Sequence, residues 1–268
     1  MAEYAIIAGT GRLPEIVSEK LTDKLVLGLE GNTNPNIKYD FVAAMGSIGA
    51  VTEYLQNNNV KKVIFAGAVK KPDLKQIKLD AVGAKLMSRA MAARFFGAKQ
   101  PGDDYILSTI IVYLEKLGFE VIGAHEVCPE LVVQNERVCK TDINDEITAQ
   151  FSMAMEAAKE LGQKDIGQAV VVANGEVIAS EDVLGTENLI KRAGQIAKER
   201  GVIGFLAKCA KPQQNMRVDM PTIGADTIEQ LYAAGLKGVV VESGKTLILD
   251  RENAIAKAAE KGVFIIGL

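Results

Sequence analysis

The richest set of reactive side chains lies in one polar loop, residues 208–231, which reads KCAKPQQNMRVDMPTIGADTIEQL. The loop combines lysine, arginine and aspartate with two prolines, between an apolar run and a predicted helix. Arginine binds phosphate oxygens through paired N–H groups, lysine supplies a point charge, and aspartate can ligate Mg²⁺ or orient water. This combination indicates a site that neutralises a pyrophosphate. Its candidate residues are Lys208, Lys211, Arg217 and Asp219, with Gly224 and Thr227 marking backbone donors at the start of the next helix.

A glycine turn follows the first apolar run of the chain. Gly9, Thr10, Gly11 and Arg12 begin the pattern G-x-G-x-x-G, but Pro14 occupies the position of the third glycine. That glycine permits close packing of helix on strand in dinucleotide-binding folds, so its loss disfavours a nicotinamide cofactor. Backbone N–H groups at a helix N-terminus still suit a phosphate or a nucleotide. The alternative is a tight strand-to-helix turn without a ligand.

Two other loops carry charged residues directly after apolar runs. Lys70 and Lys71 stand where open α/β sheets collect ligands, so they are candidates for an anion, with a solvated basic loop as the alternative. Glu181, Asp182 and Thr186 surround a glycine turn and are candidates for a metal-bound water or a sugar. Helix capping by Thr186 is the competing explanation.

The segment LMSRAMAARFFGAK, residues 86–99, interleaves apolar and basic side chains. As a helix it has one adaptable apolar face with a positive flank. Such a helix can line a groove for acyl chains or lie on an anionic membrane surface, although ordinary core packing is the more frequent reason for the pattern. Asp103 and Asp104 follow in the first turn of a predicted helix, where the helix dipole or an oxygen site for a metal accounts for them.

Composition excludes several classes of protein. The 268 residues have a net charge of −3 and 5% aromatic residues, which disfavours nucleic acid as a partner. His125 is the single histidine, so a histidine-rich zinc site is excluded and any metal is expected to be Mg²⁺ on oxygen ligands. The three cysteines form no pattern, and neither a signal peptide nor a membrane-spanning run is predicted, so a cytoplasmic protein is expected.

The order of the predicted elements separates two α/β regions. Up to about residue 130, strands alternate with helices, which predicts a parallel sheet. Beyond it, Asn174-Gly175 predicts a β-hairpin, residues 237–250 predict a second one, and residues 144–163 predict a single helix. A further helix start is predicted at Asp226, with Glu229 completing a capping box. The C-terminal region is therefore expected to be a distinct mixed α/β domain.

Six motifs in this order resemble one family across nearly the whole chain: GTGRLPE, GAVKKPDL, GDD, the segment 167–194, KPQQNMRVDMPTIGADTI and the closing ESGKTLILDRE with GVFIIGL. They are similar to the LpxI-type UDP-2,3-diacylglucosamine pyrophosphatases of lipid A biosynthesis. The resemblance implies a Rossmann-like parallel-sheet N-terminal domain (1–132), a C-terminal α/β catalytic domain (133–268), and a substrate held between them. It further implies Mg²⁺-dependent hydrolysis to UMP and 2,3-diacylglucosamine 1-phosphate (lipid X), with water attacking the phosphorus on the sugar side.

The residue types assign roles to the candidate residues, and the resemblance adds that the family's key aspartates lie in the loop matched by Asp219. Asp219 would ligate Mg²⁺ or orient the water, with Arg217, Lys208 and Lys211 stabilising the pyrophosphate. The turn at Gly9 would take the nucleotide, while Glu181, Asp182 and Thr186 would contact the metal or the glucosamine. The chain departs from the family at Asn215, where the family pattern has an acid.

Three further expectations concern partners and alternatives. The UDP-linked diacylated glucosamine lipid is the expected ligand, with transient contact to the inner membrane surface and a homodimer as further expectations. A non-catalytic sensor of UDP-sugars or lipids is the first alternative function, because asparagine at position 215 cannot serve as a base. A nicotinamide-dependent oxidoreductase is the second.

Overall fold

The computed structural model describes residues 2–70, 77–95, 103–139, 141 and 143–268, without the side chains of residues 92–95 and 103–104. The chain divides into two compact units. The first comprises Met1–Cys128 together with Asn215–Val218, and the second comprises Pro129–Gln214 together with Asp219–Leu268. Four residues from the middle of the polar loop therefore belong with the N-terminal unit.

The first unit contains a five-stranded, fully parallel sheet, as the alternation of strands and helices predicts. The chain order reverses between β1 and β4, which is the point where open α/β sheets bind ligands. The strands are β1 (Tyr4–Ala8), β2 (Lys24–Leu29), β3 (Phe41–Ala43), β4 (Lys62–Ala66) and β5 (Glu120–Ile122), in the order β3-β2-β1-β4-β5. The helices are α1 (Leu13–Lys20), α2 (Ile48–Asn57), α3 (Ala81–Phe95), α4 (Asp103–Lys116) and α5 (Ala124–Val127).

The central strand β1 shows why this sheet forms. Ala5, Ile6, Ile7 and Ala8 are all buried, as a parallel sheet requires when helices cover both faces. Val218 packs against the same core, so the returning segment takes part in the packing of the first unit.

The second unit contains a mixed six-stranded sheet and a separate pair of short parallel strands. The large sheet has the order β6-β13-β11-β9-β7-β8, with β9, β11 and β13 parallel and the flanking pairings antiparallel. Its strands are β6 (Arg137–Cys139), β7 (Ala169–Ala173), β8 (Glu176–Ser180), β9 (Gly204–Lys208), β11 (Gly238–Val241) and β13 (Phe264–Gly267), while β10 (Thr222–Ile223) pairs with β12 (Leu247–Ile248). The helices are α6 (Asp145–Thr148), α7 (Phe151–Gln163), α8 (Gly185–Arg200), α9 (Ala225–Ala233) and α10 (Arg251–Lys261). The prediction of a distinct mixed α/β domain is confirmed.

One predicted hairpin is confirmed and the other is wrong. β7 and β8 pair around Asn174 and Gly175, which both adopt positive φ as a tight hairpin turn requires. Residues 237–250 do not form a hairpin, because β9 and β13 already occupy both edges of β11. The chain instead leaves the large sheet, and β12 pairs with β10.

The single helix predicted for residues 144–163 is two helices. Asn144 caps α6 by accepting a hydrogen bond from the backbone N–H of Ile147 at 2.9 Å. Gln150 lies between α6 and α7, and its side-chain oxygen accepts a hydrogen bond from the backbone N–H of Gly175 at 2.8 Å. The junction is thus tied to the hairpin turn. No helix in the described ranges is both long and apolar enough to cross a membrane.

Three phenylalanines organise the core between α7 and the large sheet. The ring centroids of Phe151, Phe205 and Phe264 lie 5.2 to 5.9 Å apart, and all three side chains are buried. Such tilted and edge-on pairs add stabilisation beyond the burial of apolar area.

We expect Phe205→Ala to lower the free energy of unfolding by about 3–5 kcal/mol, because it leaves a cavity and removes both ring contacts. Chemical denaturation of the variant measures this loss. Val177→Ala, at a half-exposed position on β8, is the matched control and should change stability by less than about 0.5 kcal/mol. Equal effects of the two substitutions would contradict the central role of Phe205.

Candidate active site

A buried lysine forms the centre of the candidate site in the second unit. Lys208 is the last residue of β9 and only 8% of its surface is exposed. Its Nζ donates to the Oγ1 of Thr186 at 3.4 Å and to the carbonyl oxygen of Thr222 at 3.3 Å. Burial lowers the pKa of Lys208 below its ordinary value of 10.5, while the carboxylates of Glu181 and Asp219 act in the opposite direction. The two acids therefore offset part of the cost that burial imposes on the charged form.

Strand pairing explains why these residues meet. In the register of the sheet, Lys208 lies opposite Ala169 and Ser180 lies opposite Val170. The C-terminal ends of β8 and β9 therefore both reach the start of β7. Glu181 follows β8 directly, and its backbone N–H donates to the carbonyl oxygen of Ala169 at 2.9 Å.

Glu181 is fixed by two donors. Its carboxylate accepts hydrogen bonds from the backbone N–H of Gln168 at 2.7 Å and from the hydroxyl of Thr186. Gly167 makes this approach possible, because a Cβ at that position would lie 2.8 Å from the Cβ of Glu181. Thr186 is therefore not the N-cap of α8; its hydroxyl connects Glu181 to the ammonium group of Lys208.

The donor chemistry around Lys208 suits a phosphate and a hard cation. A buried ammonium group can neutralise phosphate oxygens, and carboxylate oxygens are the ligands that Mg²⁺ prefers. Within the part of the chain that the structure describes, no three His, Cys, Asp or Glu residues are grouped as metal ligands. Mg²⁺ is commonly held by one or two carboxylates together with water and substrate phosphates. Asp219 is exposed, and its carboxylate acts on Lys208, so it has the chemistry that such a site needs.

The other candidate residues in this region have structural partners. Lys211 forms an ion pair with Asp165, with 2.9 Å between Nζ and Oδ1. Asp182 accepts from the backbone N–H of Leu184 and pairs with Arg192, each at 2.9 Å, so it stabilises the first turn of α8. None of these contacts includes Lys208.

Arg217 belongs to the first unit rather than to the group around Lys208. Its Nη1 lies 2.7 Å from Oε1 of Glu115 and 3.1 Å from the carbonyl oxygen of Val121. The side chain of Asn215 accepts a hydrogen bond from the backbone N–H of Arg217 at 3.1 Å and forms the turn that presents it.

The start of α9 differs from the prediction by a few residues. Gly224 is the N-cap, and its backbone N–H lies 3.4 Å from the Oγ1 of Thr227. Asp226 lies inside the first turn, so the predicted capping box of Asp226 with Glu229 is wrong. The hydroxyl of Thr227 serves the helix end, so the observed cap lies two residues before the predicted one.

In the first unit, the loops after β1 and β4 are joined at the point where the strand order reverses. Thr10 and Ala68 exchange backbone hydrogen bonds of 2.8 and 2.9 Å, and the N–H of Gly9 donates to Ala66 at 2.8 Å. Gly67 is required there, because its φ is +92° and a Cβ would lie 2.5 Å from the carbonyl oxygen of Thr10. The backbone donors of Gly9 and Thr10 therefore hold the two loops together.

An asparagine-rich loop after β2 orders these two loops. Asn32 accepts from the backbone N–H of Lys70 at 2.7 Å, and Asn34 donates to the carbonyl oxygen of Gly11 at 2.9 Å. Asn34 also donates to the buried carboxylate of Glu15 at 2.7 Å, and Arg12 pairs with the same carboxylate. Lys70 itself is exposed. Lys71 and Gly102 lie outside the described residues, as do the side chains of Asp103 and Asp104.

Sequence reasoning did not identify several residues of these arrangements. Asn32, Asn34 and Asn36 recur at every second position of GNTNPN, which was the available signal for a polar loop that orders its neighbours. Gln168 and Thr222 contribute backbone groups, for which the side-chain pattern gives no signal.

Comparison with known proteins covers both units. The profile of the LpxI N-terminal domain matches residues 3–131, and that of the LpxI C-terminal domain matches residues 134–266. The chain belongs to the LpxI family. A relative from Caulobacter vibrioides, a UDP-2,3-diacylglucosamine pyrophosphatase LpxI, is 36% identical over 280 residues, which cover 100% of this chain and 98% of that protein. The resemblance found in the sequence motifs is thereby confirmed.

Cys209, the neighbour of Lys208, gives a prediction on reactivity and pH. Burial, with Glu242 as a second cause, raises the pKa of this thiol to about 12. We expect native protein at pH 8 to react negligibly with a disulfide reagent at Cys209, and denatured protein to react fully. The unfolded thiol ionises near pH 8.5, so the unfolding free energy should fall as pH rises above that value.

Cys209→Ala isolates this contribution. The variant should lose less stability between pH 8 and 10 than the unchanged protein, as measured by urea denaturation at each pH. Rapid labelling of native Cys209 at pH 8, or identical pH dependence of the two proteins, would contradict the assignment.

Proposed function

We propose that this protein hydrolyses the pyrophosphate of UDP-2,3-diacylglucosamine to UMP and 2,3-diacylglucosamine 1-phosphate. Membership of the LpxI family across both units is the observation that carries the proposal. The Caulobacter vibrioides relative is a UDP-2,3-diacylglucosamine pyrophosphatase, which suggests the substrate. The buried ammonium group of Lys208, with two carboxylates beside it, supplies suitable chemistry for a phosphate.

The reaction needs charge neutralisation and a positioned water more than covalent chemistry. In the proposed step, the water oxygen attacks the phosphorus on the sugar side, and the bond from that phosphorus to the bridging oxygen breaks. The bridging oxygen leaves with UMP, the sugar phosphate retains the oxygen of water, and both protons of that water are released, because each product is a phosphate monoester dianion. Bound Mg²⁺ would neutralise phosphate charge and lower the pKa of water.

Within this scheme each residue has a separate task. Lys208 binds a pyrophosphate oxygen, and Thr186 with Glu181 orients its ammonium group. Asp219 is the residue that we assign to Mg²⁺ or to the attacking water. Arg217 and Lys211 supply further positive charge once substrate competes with their carboxylate partners, Glu115 and Asp165. The loop at Gly9 to Arg12 is assigned to the nucleotide.

We expect purified protein to release UMP from UDP-2,3-diacylglucosamine in mixed micelles only when Mg²⁺ is present. Asp219→Asn should lower kcat/KM at least about a hundredfold, because it removes charge that acts in the transition state. Asp226→Asn, an exposed acid in the first turn of α9, is the matched control and should leave turnover unchanged.

Two outcomes would overturn this proposal. Full turnover by Asp219→Asn would remove the central assignment. Binding of the UDP-sugar without UMP release, by protein shown to be folded, would instead place the chain among non-catalytic sensors.

The lowered pKa of Lys208 leads to a prediction about the alkaline limit of activity. Because burial lowers its pKa, the protonated form is lost at a lower pH than for an ordinary lysine. We therefore expect kcat/KM to decline on the alkaline side at a pH below 10.5. In Lys208→Gln the remaining activity should be at least about a hundredfold lower and should lack this decline, whereas Lys237→Gln, at an exposed position, should match the unchanged protein. An unaltered profile in Lys208→Gln would refute the role.

A further inference from the structure

A groove between α3 and α4 in the first unit combines apolar, aromatic and basic side chains. Its volume is about 290 Å³. Leu86 and Arg89 line it from α3, and α4 contributes Tyr105, Val112, Tyr113 and Lys116. We refer to these residues, together with Lys85 of α3, as the α3–α4 surface.

The helical spacing on α4 separates this surface from the core. Tyr105, Val112 and Lys116 are seven and four residues apart, so they share one face of the helix. Ile111 and Leu114 are buried on the opposite side, in the core of the sheet. The face of α4 that lines the groove is therefore not the face that packs in the core of the sheet.

Large apolar side chains on the α3–α4 surface remain exposed to solvent. Val112 is 48% exposed and Tyr105 39%. Single exposed apolar residues are ordinary, but two on one face of α4 beside a groove indicate a contact surface. Tyrosine is enriched at the interface of a bilayer, because its ring contacts the apolar side and its hydroxyl stays in contact with water.

The charges of the α3–α4 surface have one sign. Lys85 and Arg89 are one turn apart on α3, and Lys116 ends α4. None of the described residues that line the groove carries a carboxylate. Glu115, the acid next to Lys116, is held by Arg217 at 2.7 Å. Basic residues around apolar side chains complement a layer of anionic head groups above acyl chains.

We propose that the α3–α4 surface docks the protein on an anionic phospholipid bilayer. Arg89 and Lys116 contact lipid phosphates, and Tyr105 with Val112 enters the boundary between head groups and acyl chains. The inference rests on the proposed function, because a diacylated substrate resides in a membrane. It adds the part of the molecule that meets the lipid.

Vesicle flotation at low ionic strength tests the docking. The probes are vesicles of phosphatidylglycerol mixed with phosphatidylcholine, and vesicles of phosphatidylcholine alone. We expect the protein to float with the anionic vesicles and to be released by salt. Arg89→Glu with Lys116→Glu, and separately Tyr105→Asp with Val112→Asp, should each weaken partitioning at least about tenfold.

Matched controls lie on the second unit, at positions of similar exposure. Lys198→Glu combined with Ile203→Asp changes one basic and one half-exposed apolar residue there and should leave flotation unchanged. Circular dichroism and UMP release from substrate in detergent micelles complete the comparison. Both groove variants should remain folded and keep their micellar turnover.

The outcomes separate this inference from the proposed function. Equal flotation of groove variants and unchanged protein, or no preference for anionic vesicles, would overturn the docking surface whatever the turnover. Loss of micellar turnover in folded groove variants would overturn it too, because the groove would then hold the acyl chains of substrate. Selective flotation by a protein that releases no UMP would leave the docking surface standing and defeat the proposed function alone.

Discussion

The burial of one positive charge dictates much of the second unit. An ammonium group taken out of water is costly unless oxygen atoms replace its hydration. The ammonium group of Lys208 donates to a hydroxyl and a backbone carbonyl, and the carboxylates of Glu181 and Asp219 act on it electrostatically. Because these groups are far apart in sequence, the large sheet must bring the ends of β8 and β9 together. The same arrangement leaves a cation with oxygen neighbours at the C-terminal end of β9, which is suited to phosphate chemistry.

The polar loop looks uniform in sequence, yet its residues serve two different units. Lys208 and Asp219 belong to the second unit, whereas Arg217 is bound to Glu115 in the first. From charge composition, all of these residues were predicted to share one role. A pattern of residue types, however, carries no information on which partner each side chain will contact. An ion pair between residues 115 and 217 is decided by tertiary packing. Sequence signals were reliable where the structure depends on neighbouring residues alone, as in the turn at Asn174 and Gly175.

The fold was largely predictable and the site only partly so. Alternating strands and helices predicted the parallel sheet, because a crossover helix between parallel strands leaves a regular pattern of apolar residues. The prediction of the second hairpin was wrong because strand order decides whether β11 has a free edge, and strand order depends on residues that are distant in sequence. Lys208, Glu181 and Thr186 were named from their residue types, but their mutual contacts depend on the register of three strands. The asparagines after β2 form hydrogen bonds with backbone groups of other loops. Because backbone groups are present at every residue, the amino-acid composition does not indicate which of them will be the partners.

The division of the chain also bears on how the protein is made. Asn215–Val218 complete the first unit, but the ribosome synthesises all of Pro129–Gln214 before it reaches them. The N-terminal unit therefore emerges first and is completed late, and until then Glu115 lacks its arginine and the core lacks Val218. A fragment ending near residue 128 would carry this deficit permanently. Although each unit has its own sheet and core, the two are joined in their biogenesis by four residues.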